Sequence, residues 1–386
     1  MKFKFHLLLG ALLTGAAVQA QDVVIARNPD VITGRLVKSI SSLKNYDAKP
    51  LNNNVKVRDL EGIIGKDEEF EEGDAPNFGS PINTDQALQK NYTNNSLAPN
   101  AATLNANFPG IGYKPLNPPD PSMCVGTNHV IQMVNGSSGA LLKVFNKTGG
   151  QVVAEKYLDA ITGKGGLGDP ICIYDQLANR YVLTEFANKP ETGTEGLIIA
   201  VSQSGDPSGG WNTYFFSTGN TFPDYPKFAV WTDAYYATTN DFANGSTYAG
   251  SSVYAFDRAA MIAGNATASM QRFTLGTANK HFSMSPVCLE GSALPPAGTG
   301  GLIAYMFDDS WTSTTADRDS IGLYEFKVNF SNASQTVITN KSSLATAAFT
   351  SSICTTTRGQ CITQPGTSTK LEALQQKIMN QPVYRS

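Results

Sequence analysis

The chain has 386 residues, enough for two or three domains or for one large all-β unit. Charged residues make up 16% of it, against roughly 25% in an ordinary soluble domain, and Ser, Thr, Asn and Gly fill the difference, which suits short strands and turns better than long helices. A net charge of −3 removes the electrostatic ground for a nucleic-acid or acidic-membrane partner.

Residues 1–20 read as a signal peptide. Lys2 and Lys4 give a basic start, Leu7 to Val18 is almost wholly apolar, and Val18-Gln19-Ala20 offers small residues at a cleavage site. The apolar run is too short for a bilayer that needs about 20 residues, and no later stretch replaces it. The expected address is therefore secreted, extracellular or cell-surface, with no transmembrane span. Residues 21–107 follow as a loosely ordered leader and linker, marked by the acidic run Asp67 to Asp74 and an Asn, Ala, Thr and Pro-rich stretch.

Past Phe108 the chain repeats. Pro121, Pro170, Pro226 and Pro286 open four similar units at spacings of 49, 56 and 60 residues. Each proline precedes a run such as Val130 to Val134 or Leu302 to Phe307, then a second run such as Gly196 to Ser202. Proline lacks an N–H, so it belongs at the first residue of a strand. The period fits a four-stranded propeller blade. The expected fold is all-β and propeller-like, with about four blades over residues 108–340. Residues 341–386 would then be a partial fifth unit, and a missing C-terminal portion of the propeller is a candidate partner. Within that unit, Thr369 and Glu372 have capping-box spacing, and Leu371, Leu374, Ile378 and Met379 share one face of a short helix.

An exported chain can form disulfides. Of five cysteines, Cys354 and Cys361 are close enough to close a small loop and are the expected bridge. Cys124, Cys172 and Cys288 lie in apolar runs, where a thiol behaves as a small hydrophobe, and their pairing stays open.

The segment Ser204-Gly205-Asp206-Pro207-Ser208-Gly209-Gly210-Trp211 resembles the Asp-box of sialidase-like propellers. The Ser-to-Asp and Asp-to-Trp spacings match, the glycine is displaced by one, and Gly210 stands where that family has Thr. The resemblance implies a structural turn formed by Ser204, Asp206 and Trp211, with no catalytic role. More widely, residues 118–386 resemble a family of secreted bacterial propeller proteins without a settled activity. The likeness runs through Pro118-Pro119-Asp120, Gly168-Asp169-Pro170, Asp224-Tyr225-Pro226-Lys227 with Trp231, and Tyr254 to Arg258.

Chemistry is sparse. Outside the signal peptide only His129 and His281 remain, and no zinc-type, nucleophile-elbow or phosphate-loop motif occurs. Arg180, Arg258, Arg272 and Arg318 lack the setting of a sialidase arginine triad. What repeats is Asp120, Asp169 and Asp224 at the unit openings, with Tyr225 beside the third. These four are the expected ligand-binding residues. Asp-Pro can simply cap a turn, or the acids can ring a channel mouth as a sugar or hard-cation site, calcium being the candidate ion. No catalytic residue is assigned and no cofactor is required. The leading expectation is a secreted propeller binding a glycan or protein ligand, with catalysis left open and inclined to no. Its alternatives are a carbohydrate-active hydrolase or lyase using the mouth carboxylates, and an inactive fragment of a longer propeller.

Overall fold

A computed structural model of the chain describes residues 23–40, 43, 58–59, 106–112, 114, 116–163, 166–189, 194–245, 247–276, 281–309, 318–351, 361–371 and 377–385. The expected signal peptide, most of the leader, Cys354 and residues 372–376 of the expected helix lie outside them.

The chain opens with β1 (Val23–Arg27), β2 (Asp30–Thr33) and β3 (Arg35–Ile40), followed by the short parallel pair β4 (Arg58–Asp59) and β5 (Leu116–Asn117). Four antiparallel meanders come next. The first blade is β6 (Ser122–Val125), β7 (His129–Gly136), β8 (Gly139–Asn146) and β9 (Gln151–Tyr157). The second is β10 (Gly168–Asp175), β11 (Arg180–Lys189), β12 (Thr194–Ser202) and β13 (Trp211–Gly219). The third is β14 (Thr221–Val230), β15 (Tyr235–Ala243), β16 (Thr247–Phe256) and β17 (Ser269–Leu275). The fourth holds β18 (Ser285–Pro286), β20 (Gly301–Phe307), β21 (Ser320–Lys327) and β22 (Val337–Ala345), with β19 (Cys288–Leu289) beside its opening. The fold is an all-β propeller of repeated blades, as the period of the prolines requires.

Both faces of each middle strand are apolar because each blade is covered on two sides. On β11, Val182 packs toward the third blade and Leu183 toward the first. On β15, Tyr235 faces the second blade and Tyr236 the fourth. Successive side chains of a strand point to opposite faces, so adjacent residues serve different interblade cores. That is why these runs read as continuously apolar and not alternating.

Residues 23–40 depart from the leader expectation. β3 pairs with β13, β2 with β17 and β1 with β22, so the segment passes backwards over the outer edges of the second, third and fourth blades. The physical reason is the unpaired N–H and C=O rows that outer strands would otherwise present. At the other end, β22 runs to Ala345, past the expected boundary at residue 340. Leu371 bridges Ile362 in extended backbone where the helix was expected to begin. Beyond it, β23 (Val383–Tyr384) pairs in parallel with β19, and the Tyr384 ring packs edge-on against Trp231 at 5.5 Å.

The cysteines also correct the sequence reading. Cys124 and Cys172 form a disulfide, their Cα atoms 5.5 Å apart, because β6 and β10 run side by side as the first strands of adjacent blades. Cys288 is free. Cys361 is disulfide-bonded, and its expected partner Cys354 lies outside the described residues.

The turn between β12 and β13 holds Ser204, Asp206 and Trp211. Asp206 Oδ1 accepts from Ser208 N at 2.9 Å and from Ser208 Oγ at 2.7 Å. Trp211 is fully buried and its Nε1 donates to Pro207 O at 3.0 Å.

Candidate functional site

The site grows from a backbone irregularity repeated at the blade openings. Asp120, Asp169, Tyr225 and Ser283 all have left-handed φ, at 36°, 50°, 50° and 52°. Side-chain-bearing residues rarely adopt this region, and where they do the surroundings must hold them there. Two of the openings also carry a bulge, between Gly168 and Ile171 and between Asp224 and Lys227.

What holds them is a grip from the preceding blade. Asn135 Oδ1, on β7, accepts from Asp169 N at 2.8 Å. Asn240 Oδ1, on β15, accepts from Ser283 N at 2.9 Å. Asp308 repeats the gesture on Ser351, its Oδ2 accepting from Ser351 N at 2.7 Å. Gly168 must be glycine for the same reason, since a Cβ there would stand 2.5 Å from Asn135 Oδ1.

The Asn135 amide does more than anchor backbone. Its Nδ2 donates to Asp120 Oδ2 at 2.7 Å and reaches Asp169 Oδ1 at 3.4 Å, so it lies between two expected site residues. Asp120 and Asp169 share a side-chain hydrogen bond, and Asp224 adds its charge from the third blade. Burial, then the charges of Asp120 and Asp224, hold the Asp169 carboxyl well above the usual carboxylate range, and Asn135 opposes that rise. Asp169 is thus the carboxyl of the three whose proton affinity is raised most plainly by its surroundings. Asp224 Oδ1 accepts from Tyr225 N at 2.7 Å.

A lysine completes the group. Lys227 Nζ donates to Pro226 O at 3.3 Å and lies 3.6 Å from the centroid of the Tyr225 ring. Lys377 Nζ, from the C-terminal segment, lies over the same ring at 4.2 Å. The Tyr225 ring thus carries two ammonium groups.

Glu185 stands behind the mouth between the first two blades. It is 1% exposed, its Oε2 accepts from Ala140 N at 2.9 Å, and its buried Oε1 has no partner. A Cβ at Gly166 would fall 1.8 Å from its Cδ, so the loop closes over the carboxyl only as glycine. Burial pushes this carboxyl up to about 8.

The structure thus brings together Asp120, Asp169, Asp224 and Tyr225, and adds Asn135, Lys227 and Lys377. Among the described residues only Asp308, Asp309 and Asp319 place three ligand oxygens within 4.8 Å of one another, a spacing that could hold a metal ion. Even there, Asp319 accepts from Asp309 N at 2.9 Å and from Phe349 N at 2.6 Å. At the mouth, the Asn135 amide donates to Asp120 and reaches Asp169. The arginines are engaged elsewhere: Arg258 with Asp175 at 2.6 Å, and Arg272 with Asp30 at 3.1 Å. Sequence reasoning missed Asn135, although aligning the second strands would have set it against Asn240. Lys377 gave no signal, because it reaches the mouth only through the path of the C-terminal segment.

No family model and no curated protein matches the chain. Two solved structures are similar to it. One is the GH43 endo-arabinanase from Bacillus licheniformis, 12% identical, covering 54% of this chain and 71% of that one at a TM-score of 0.30. The other, from Bifidobacterium bifidum s17, is named as an exo-β-1,3-galactanase and is 10% identical, covering 60% and 89% at a TM-score of 0.27. Neither likeness lends a residue to this site. Both neighbours bear the names of glycan-cleaving enzymes. Those names stand against the expectation of a non-catalytic glycan or protein binder, which is set aside; the hydrolase or lyase alternative is taken up below as a proposal. No helix among the described residues is long and apolar enough to cross a membrane.

Proposed function

We propose that the chain is an exported carbohydrate-active hydrolase working at the blade openings around Asp169. The observation that carries the reading is the cluster itself: Asn135 lies between Asp120 and Asp169, and burial with the charges of Asp120 and Asp224 raises the Asp169 carboxyl well above the ordinary range. Glycoside hydrolysis needs one carboxyl that gives a proton to the leaving oxygen and a second, separated by roughly 5–9.5 Å, that acts from the other side of the sugar. Asp120 and Asp169 are hydrogen-bonded to each other, too close to flank a bond, so the pair serves as the proton-giving unit. Asp224 acts on Asp169 through charge from another blade and is the opposed carboxylate, taking a proton from the attacking water. Export follows from the basic and apolar start of the sequence. Kinship with sialidase-type propellers would rest on the Ser204-to-Trp211 turn alone.

The test is release of reducing ends from a panel of polysaccharides, arabinan and β-1,3-galactan among them. Release from at least one, with Asp169→Asn and Asp224→Asn each lowering kcat about 10²–10⁴-fold, is expected. Binding to a polysaccharide without release from any would overturn the reading.

A further inference from the structure

The first strand stands at the end of each blade's sheet, and β10, β14 and β18 pack side by side. A strand at the end of a sheet is a ready template for a further strand. Along the third and fourth blades the chain supplies one itself, from residues 377–385, which end in β23 beside β19.

The segment keeps step with β14. Lys377 Nζ lies 4.2 Å from the centroid of the Tyr225 ring, Gln381 Nε2 donates to Phe228 O at 2.7 Å, and the Tyr384 ring meets Trp231 at 5.5 Å. Each step of three residues from Tyr225 to Phe228 to Trp231 is matched by three or four along the segment, in the same direction, from the mouth to the far end of the blade. On the fourth blade Gln381 Nε2 also donates to Pro286 O at 3.0 Å, and Cys288 N and Glu290 N donate to Pro382 O and Tyr384 O at 2.9 and 3.1 Å. Extended peptides add to sheet edges through main-chain bonds of this kind. The hold is slight. Among the described residues two main-chain bonds and one glutamine amide carry it, Lys377, Gln381 and Tyr384 are only half-buried, and Met379 and Val383 are exposed. The ion pair of Arg385 with Glu290 at 2.6 Å stands in solvent, where such pairs contribute little. Segments with few buried contacts and few ladder bonds open far more readily than the whole protein unfolds.

We propose that residues 377–385 are a displaceable strap, docked along the first strands of the third and fourth blades, whose release takes Lys377 off the Tyr225 ring and opens the mouth. A sugar ring that stacks on Tyr225 competes with the strap, and a ligand that binds only the released form draws the equilibrium toward it. Lys227 belongs to β14 and stays, so Lys377 is the part of the cover that moves. The inference rests on the hydrolase reading for the ligand alone; docking and release of the strap do not depend on it.

The experiment follows the full chain without ligand by two readouts. One is amide hydrogen exchange at Cys288 and Glu290, whose N–H groups the strap binds at the far end. The other is nitration of Tyr225 by tetranitromethane at the mouth, mapped by mass spectrometry. In the wild type, Cys288 and Glu290 should exchange at least tenfold faster than the amides of β15. Tyr384→Ala, which alters the far end alone, should speed exchange at Cys288 and Glu290 about tenfold more and should also raise nitration of Tyr225 at least threefold. Lys377→Ala should raise the nitration directly. Unchanged nitration in either variant would overturn the proposal, since the strap would then be a fastening without effect on the mouth. Should Tyr384→Ala fail to fold, the wild type decides: exchange at Cys288 and Glu290 no faster than in β15 would mean that the strap leaves only when the protein unfolds, and the proposal fails. No substrate enters these measurements, so their failure is distinct from failure of the hydrolase reading. If a polysaccharide is cleaved, Tyr384→Ala should lower its KM at least threefold with kcat little changed; a KM unchanged or raised counts against the strap.

Discussion

Strand β10 carries an aspartate near each end, and the two are treated in opposite ways. Asp169 stands near its start, among other acids, and burial with their charges raises its carboxyl well above the ordinary range. Asp175 closes the strand roughly 20 Å away at about 3.3 Å per residue. It is fully buried and fully compensated. Arg258 Nε and Nη2 reach it at 2.6 and 3.0 Å, the Tyr235 hydroxyl at 2.9 Å, and Leu177 N and Ala178 N at 3.0 Å each. One end ties the second blade to the third. The other gathers like charge across blades at a place where backbone strain recurs. Groups that stabilise are paired until little chemistry remains in them, whereas groups left in mutual repulsion are the ones fitted for proton transfer.

The largest test of this contrast is Asp175→Ala. Removing one partner of a buried pair leaves the other charge without compensation, so the variant should lose about 3–5 kcal/mol in urea unfolding. Arg258→Met should cost less, since Asp175 would still accept from Tyr235 and two backbone N–H groups. A loss under about 1 kcal/mol in Asp175→Ala would mean that the far end is no clamp.

Glu185 gives the next effect. Its carboxyl ionises near pH 8 when folded and near 4.5 in its ordinary state. Between those values the folded chain binds the proton and the unfolded chain does not, so stability falls as pH rises, by about 1.4 kcal/mol per unit. His281 works the other way. Burial holds it neutral down to about 4, so its contribution rises with pH up to its ordinary 6.5. The Glu185 slope is therefore cleanest from pH 6.5 to 8, where it should amount to about 2 kcal/mol. Glu185→Gln should flatten that decline, read as urea midpoints across the range. A variant that keeps the full wild-type slope would show that another group carries it.

The blades were legible because a proline recurs in or just before the first strand of each at a fixed period that survives variable loops, although Pro170 and Pro226 lie inside their strands, at bulges, and not at the first residue. Asp120, Asp169 and Asp224 were legible for the same reason, since they sit beside those prolines. Residues 23–40 were not, because an outer strand is recruited by exposed edges that exist only once the blades have folded. The bond between Cys124 and Cys172 was hidden similarly: it joins strands adjacent in space and 48 residues apart in sequence. Lys227 was visible in the sequence but silent, because its direction depends on the bulge and on the left-handed Tyr225. The fold thus followed from local pattern, while the chemistry of the mouth depends on how one blade turns its first residues toward the next.

The smallest effect is the sharpest test of the comparison. Asp169→Asn keeps the shape of the side chain and can still donate to Asp120, but it removes a group that must take up a proton on folding. Because the folded carboxyl holds its proton above the ordinary value of 3.8, wild-type stability falls as pH rises from there toward the folded ionisation. The amide lacks that slope. Wild type and variant should therefore unfold alike near pH 4, and at pH 7 the variant should be more stable by about 0.5–2 kcal/mol. Activity toward any glycan the wild type cleaves should fall at the same time. Asp175, on the same strand, is expected to give the opposite sign when altered. If Asp169→Asn instead unfolds earlier at pH 7, the acid is a turn cap, and the two ends of β10 differ only in degree.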